Sequence, residues 1–192
     1  MGMNDKLADI LTRHIHNERI FYARRYYRRF RIVLVTAFAV LIAIPSVFLF
    51  LIGATVVQGG SMNPYYQKGD LLVYTRVNGS YNYGEVAVFE YAGETLQGRV
   101  IGLAGDRINV SSDSCQVTVN GRELAESYAV STGRHCNSSD FPLTVPENTL
   151  FLMGDNRDLA LDSRNRNLGP VPLDKVKGKI LFMIRTKPSP DY

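Results

Sequence analysis

The sequence predicts a mainly β domain carried behind one N-terminal transmembrane α-helix, and three observations predict it. Residues 32–57 form a run of 26 residues without a charged side chain. Basic residues crowd the stretch just before that run, where residues 1–31 carry a net charge of +5 against −1 for residues 32–192. After the run, short stretches rich in β-branched and aromatic residues alternate with turn residues, the texture of a sheet protein.

The chain has 192 residues, 45% of them apolar, with 16 Gly and 2 Cys. That is room for one ordinary domain plus an appendage. Collagen-like, disulfide-dense and mainly disordered chains are excluded by the same composition.

Three segments follow in order. Residues 1–31 are a basic segment, with Leu7, Ile10, Leu11 and Ile15 at helical spacing. Residues 32–57, as a helix, span about 39 Å, more than the roughly 30 Å of a hydrocarbon core. A secretory signal peptide has an apolar region of only about 7–15 residues and a small-residue cleavage site, which this segment lacks. Arg24, Arg25, Arg28, Arg29 and Arg31 then place the N-terminus in the cytoplasm by the positive-inside rule. Interleaved with Tyr22, Tyr26 and Tyr27 beside a membrane span, they are read as lipid-headgroup contacts, with no nucleic-acid partner.

Residues 58–192 form the extracytoplasmic domain. Strands are expected over 71–77, 85–91, 97–103, 116–119, 149–153 and 179–184, with Asn120-Gly121 as a hairpin turn. Cys115 and Cys136 lie in its longest irregular stretch. Outside the cytoplasm they are a candidate disulfide, closing a loop for roughly 3 kcal/mol; the alternative is two free thiols. Two cysteines alone are not read as a metal site.

Candidate chemistry begins at Gly59-Gly60-Ser61-Met62-Asn63-Pro64, only a few residues past the apolar run. A Gly-Ser-Pro turn alone is common in loops. Taken with Gly69-Asp70-Leu71-Leu72-Val73, with Arg99-Val100-Ile101-Gly102-Leu103-Ala104-Gly105-Asp106, and with Gly154-Asp155-Asn156-Arg157 followed by Asp162-Ser163-Arg164, it resembles the ordered boxes of bacterial type I signal peptidases. The resemblance extends from the apolar run to about Ile184.

This resemblance implies a membrane-anchored, S26-type β domain of a serine endopeptidase that cuts signal peptides from exported precursors with a Ser/Lys dyad, without metal or cofactor. Ser61 matches the nucleophile, and its backbone N–H matches the oxyanion donor. Gly59 stands where some members place a second donor, a serine. Met62 matches an apolar neighbour, Asp162 and Arg164 a charged pair that braces the site, and Asp155, Asn156, Arg157 and Arg99 a structural network.

At the general base the chain departs from the family. The family lysine directly precedes the arginine matching Arg99, and Gly98 holds that place. The lysine works because burial lowers its pKa and frees a neutral amine. Arg99 cannot take over, since a guanidinium stays protonated. The family serine that orients the lysine is Ala160 here; Tyr65 for threonine and Ala104 for proline are lesser departures. Substitute bases to consider are Lys68, Lys175, Lys177, Lys179, His14, His16 and His135, with both N-terminal histidines on the far side of the membrane.

Two functions follow. The first is a degenerate member, similar to pilus-associated signal-peptidase-like proteins, that binds signal-peptide-bearing or pilin-type precursors without cutting them. The second is an active serine endopeptidase using Ser61 with a substitute base. Either is expected in a bacterial cell membrane, single-pass, with membrane lipid as a further partner.

Overall fold

The computed structural model describes residues 2–77, 79–111, 114–131 and 141–186, and of residues 3–24 only the backbone. Two units divide it, Met1–Leu49 and Phe50–Tyr192. The first is built from the helix α1 (Met3–Leu51), whose last two residues belong to the second unit. Its part Arg25–Leu51 is long and apolar enough to cross a membrane.

The apolar run does not stay helical to Val57. Ile52–Val56 form strand β1, antiparallel to β2 (Leu71–Thr75) in the register Ile52↔Thr75 to Val56↔Leu71. Ile52, Thr55 and Val56 are β-branched and favour this pairing. Gly53 permits it, because a Cβ there would sit 2.3 Å from the Tyr74 ring. The expected helix boundary is therefore corrected to Leu51, and Ser61 lies further along the chain from the helix end than Val57 implied.

The remaining strands are β3 (Val86–Tyr91), β4 (Glu94–Gly102), β5 (Arg107–Val110), β6 (Val117–Val119), β7 (Arg122–Glu123), β8 (Leu143–Thr144), β9 (Thr149–Met153), β10 (Val171–Pro172) and β11 (Val176–Ile184). They build a seven-stranded antiparallel sheet in the order β1-β2-β11-β3-β4-β9-β10 and a four-stranded sheet β7-β6-β5-β8. Adjacent residues of β4 and β9 serve two cores. Val100, Leu150 and Leu152 pack with Ala87, Phe89 and Val176, while Ile101, Phe151 and Met153 pack with Ile108, Val117 and Val145. Burial on both faces explains why these strands read as apolar runs rather than as an alternation.

All six expected strands form, that over 149–153 with the expected ends and the other five with shifted ones. β4 begins earlier than expected because Ala92 and Gly93, at φ 51° and 82°, close a tight hairpin between Tyr91 and Glu94. Asn120 and Gly121, at φ 53° and 78°, make the expected turn, joining Val119 to Arg122. Gly121→Ala should destabilise the chain by about 1 kcal/mol, since an L side chain is strained at positive φ. Denaturant titration of the full chain in detergent, beside Glu123→Ala as an exposed control, checks it.

Cys115 is buried, is a disulfide cysteine, and accepts a hydrogen bond from the Ser131 hydroxyl at 3.1 Å. Cys136 lies outside the described residues.

Candidate functional site

The Ser61 turn is pinned at both ends. Val57 N donates to Asp70 O and Gly69 N to Val57 O, each at 2.9 Å, so the loop from Gln58 to Lys68 leaves and re-enters at one point. Within it Asn63 N donates to Gly60 O at 3.1 Å and Tyr66 N to Met62 O at 3.0 Å. Met62 is fully buried and anchors the turn, leaving Ser61 partly exposed beside it. Gly59 faces open space, with no atom within 4 Å of where its Cβ would stand.

The segment from Gly154 onward closes on this turn. Asn156 N donates to the Ser61 carbonyl at 2.9 Å. A Cβ on Gly154 would lie 2.6 Å from that carbonyl oxygen and 2.4 Å from Ala160 Cβ, so only glycine fits. Asp162, buried, accepts from Gly154 N at 3.0 Å and from Arg164 Nε and Nη2 at 2.9 and 2.8 Å. Arg164 Nη2 also donates to Arg157 O at 2.8 Å. Asp162 and Arg164 thus brace the two ends of the turn that carries Ala160.

Asp155 and Arg157 reach outward into a second network. Arg99, on β4, grips Asp155 through Nε at 2.8 Å and Nη2 at 2.5 Å, and donates to Gly84 O through Nη1. Its guanidinium lies 4.2 Å over the Tyr128 ring. Arg157 donates through Nε to Gly154 O at 3.0 Å and pairs with Glu126 through both Nη atoms. Burial, together with the negative charge and hydrogen bond of Glu126, pushes the Tyr128 phenol well above its usual range. Burial also raises Tyr66, against the opposing charge of Arg99.

Glu126 and Tyr128 were not among the residues expected from the sequence. A buried arginine needs an acidic partner, and Arg157 finds none in its own box because Asp155 serves Arg99 and Asp162 serves Arg164. That unmatched charge was the available signal, but it did not say which acid would answer it.

Gly98 is buried on β4 opposite Ala87. A side chain there would start 3.0 Å from Leu152 Cβ and 3.4 Å from Phe89 Cε1, between apolar walls. A groove of about 320 Å³ runs past Ser61, lined by Gly59, Gly60, Glu94, Thr95, Gln97 and Leu159, among others. The pairing of β9 with β4 starts only at Arg99. Residues 94–98 therefore leave the edge away from β3 without a strand partner among the described residues.

Of the candidate bases, the four described lysines do not hydrogen-bond Ser61, whose hydroxyl makes no hydrogen bond among the described residues. Lys68 is exposed. Lys177 Nζ is held by Thr95 Oγ1 at 2.9 Å and Glu90 at 3.2 Å, and Lys179 Nζ by Glu85 at 2.9 Å. Lys175 lines a different groove, with Phe89 and Tyr91. His14 and His16 fall where only the helix backbone is described, and His135 lies outside the described residues. Among the described residues, no group of three His, Cys, Asp or Glu side chains is placed to hold a metal ion.

Residues 29–185 match the family model of signal peptidase, peptidase S26. The chain is 31% identical over 160 residues to signal peptidase I of Bacillus licheniformis, covering 76% of this chain and 84% of that one. It is 30% identical over 165 residues to signal peptidase I S of Bacillus subtilis strain 168, covering 79% and 88%. A crystal structure of a signal peptidase I from Enterococcus faecalis V583 aligns at 27% identity and a TM-score of 0.44, covering 53% of this chain and 97% of that one. With a family model spanning most of its length and relatives matched over most of theirs, this chain belongs to the signal peptidase family, peptidase S26.

Proposed function

We propose that this chain binds signal-peptide-bearing or pilin-type precursors at the outer face of a bacterial cell membrane without cutting them, as an accessory or chaperone in surface-protein or pilus assembly. One observation carries the reading: the position that matches the family's lysine, directly before Arg99, is the buried Gly98, which has no proton acceptor. Attack by Ser61 Oγ on a peptide carbonyl requires its proton to leave, and loss of a general base costs on the order of a hundred- to ten-thousandfold. The neighbouring lysines are engaged elsewhere, with Glu90 and Glu85. Ala160 removes the hydroxyl that would have oriented a lysine.

Binding does not need that lysine. The groove beside Ser61 stays open, and the unpartnered edge of β4 over residues 94–98 offers backbone donors and acceptors to an extended segment. The arginines before the span keep the N-terminus in the cytoplasm, so the β domain faces outward, where a precursor held in the bilayer presents its cleavage region.

Incubation of the full chain in detergent with a signal-peptide-bearing precursor should yield a stable complex and no product that Ser61→Ala abolishes. A Ser61-dependent product would instead establish the second reading, an active serine endopeptidase with a substitute base. Retention of Ser61 on the groove wall favours that reading, since oxyanion stabilisation and positioning leave residual acceleration when one member of a catalytic set is missing.

A further inference from the structure

Two leucines stand on either side of Ala160. Ala160 turns inward against Gly154, and its neighbours turn outward, Leu159 69% and Leu161 41% exposed. One exposed leucine is ordinary. This pair is held rigidly, because Leu159 N and Ala160 N both donate to Asn156 O, at 3.3 and 3.0 Å, and Asn156 N donates to Ser61 O. At the far end of the turn, buried Asp162 fixes the backbone through Gly154 N.

Both leucines line the Ser61 groove, and Leu159 Cδ1 lies 3.6 Å from the Cβ position of Gly60. Of the other lining residues Glu94 is the one charged side chain; Gln58, Thr95 and Gln97 are neutral, and Leu96 adds a third, half-buried apolar side chain. An aliphatic side chain placed on the leucines loses water on both partners. Lys177, whose Nζ reaches the lining Thr95 at 2.9 Å, is paired with Glu90 at 3.2 Å, and Glu94 has no ion-pair partner among the described residues.

We infer that the groove selects an extended peptide segment that presents a bulky aliphatic side chain to Leu159 and Leu161 and a basic residue to Glu94. This rests on the reading that the groove holds a precursor segment, and it adds the chemistry by which one segment is preferred to another. Leu159 and Leu161 set the apolar preference, and Glu94 sets the preference for charge.

The test uses the full chain in detergent and fluorescent peptides of about twelve residues, built from Ala, Ser and Thr, in which one Leu and one Lys are moved along the sequence. The best binder should lose about tenfold in affinity when its Leu becomes Ser. Leu159→Ser with Leu161→Ser should bring that ratio close to one. Glu94→Gln should remove a preference of about two- to fivefold for Lys over Glu, a preference that weakens with salt. A scan in which no Leu position matters, or a ratio unchanged in the double variant, overturns the inference, and does so on the wild-type chain even if the variants fold poorly. If a whole precursor binds while the peptide scan is flat, the subsite assignment alone fails. If neither precursor nor peptide binds, the binding reading fails with it.

Discussion

Replacing Gly98 by Lys together with Ala160 by Ser is expected to create Ser61-dependent cleavage at least about a hundredfold above the unmodified chain, the usual contribution of a general base. The site at residue 98 is suited to such a lysine. It is buried, and the first atoms a side chain would meet belong to Leu152 and Phe89. Desolvation by those walls lowers an amine pKa, so part of the lysine would be neutral and able to take a proton. Cleavage should therefore rise with pH through that lowered pKa, because the protonated form below it is inactive. Ala160→Ser places a hydroxyl on the turn that already touches Gly154 and, through Asn156, the Ser61 carbonyl.

The substitution has a steric cost. The nearest contact is Leu152 Cβ at 3.0 Å, which trimming the leucine would leave in place, so β9 must shift by a few tenths of an ångström. Overpacking of this kind costs about 1–3 kcal/mol. A thermal melt of the double variant separates misfolding from inactivity. If the variant is folded and binds precursor yet produces no cleavage over the pH range, residue 98 is not the base position.

Asp155→Ala should destabilise the β domain by about 3–5 kcal/mol, the cost of removing one partner from a buried ion pair. Asp155 is fully buried, and it holds Arg99 through two hydrogen bonds. Without it the guanidinium keeps, among the described residues, Gly84 O and the Tyr128 ring as partners. Burial opposes the charged state of Arg99, and the contact with Asp155 outweighs it. Replacing both residues, Arg99→Met with Asp155→Leu, should cost less than Asp155→Ala alone, since no charge is then left unpaired. Denaturant titrations of the two variants against the unmodified chain decide it; equal costs would mean that the pair's charges matter little.

The parts of the fold that were legible in the sequence are those that local chemistry specifies. Asn120-Gly121 announced its turn because both positions require positive φ, and the Ser61 and Gly154 boxes were readable as contiguous strings. β1 was not, since Ile52–Val56 carry no charge and read as a continuation of the span; what separates them is pairing with Leu71–Thr75, a distant segment. The Ala92-Gly93 hairpin lacked the Asn-Gly signature and was missed for that reason. Among the site residues, Arg99, Asp155, Asp162 and Arg164 were legible through the resemblance of their boxes to the family, while the pairing of Arg99 with Asp155 came only with the fold. Glu126 and Tyr128 escaped because they meet Arg157 and Arg99 only through the tertiary fold, from a segment with no recognisable motif.

Ser61 is held by its carbonyl oxygen, not by its hydroxyl. The bond from Asn156 N, the glycine-only approach of Gly154 and the buried anchor of Met62 all act on main chain or on a neighbour. Assembly of the site and reactivity of the site are thus separate properties of this protein. Ser61→Ala should melt like the parent, and on the function proposed above a chemical step is gained or lost at residue 98 while the framework around Ser61 stays in place. A single scaffold can in this way serve both as a blade and as a cradle.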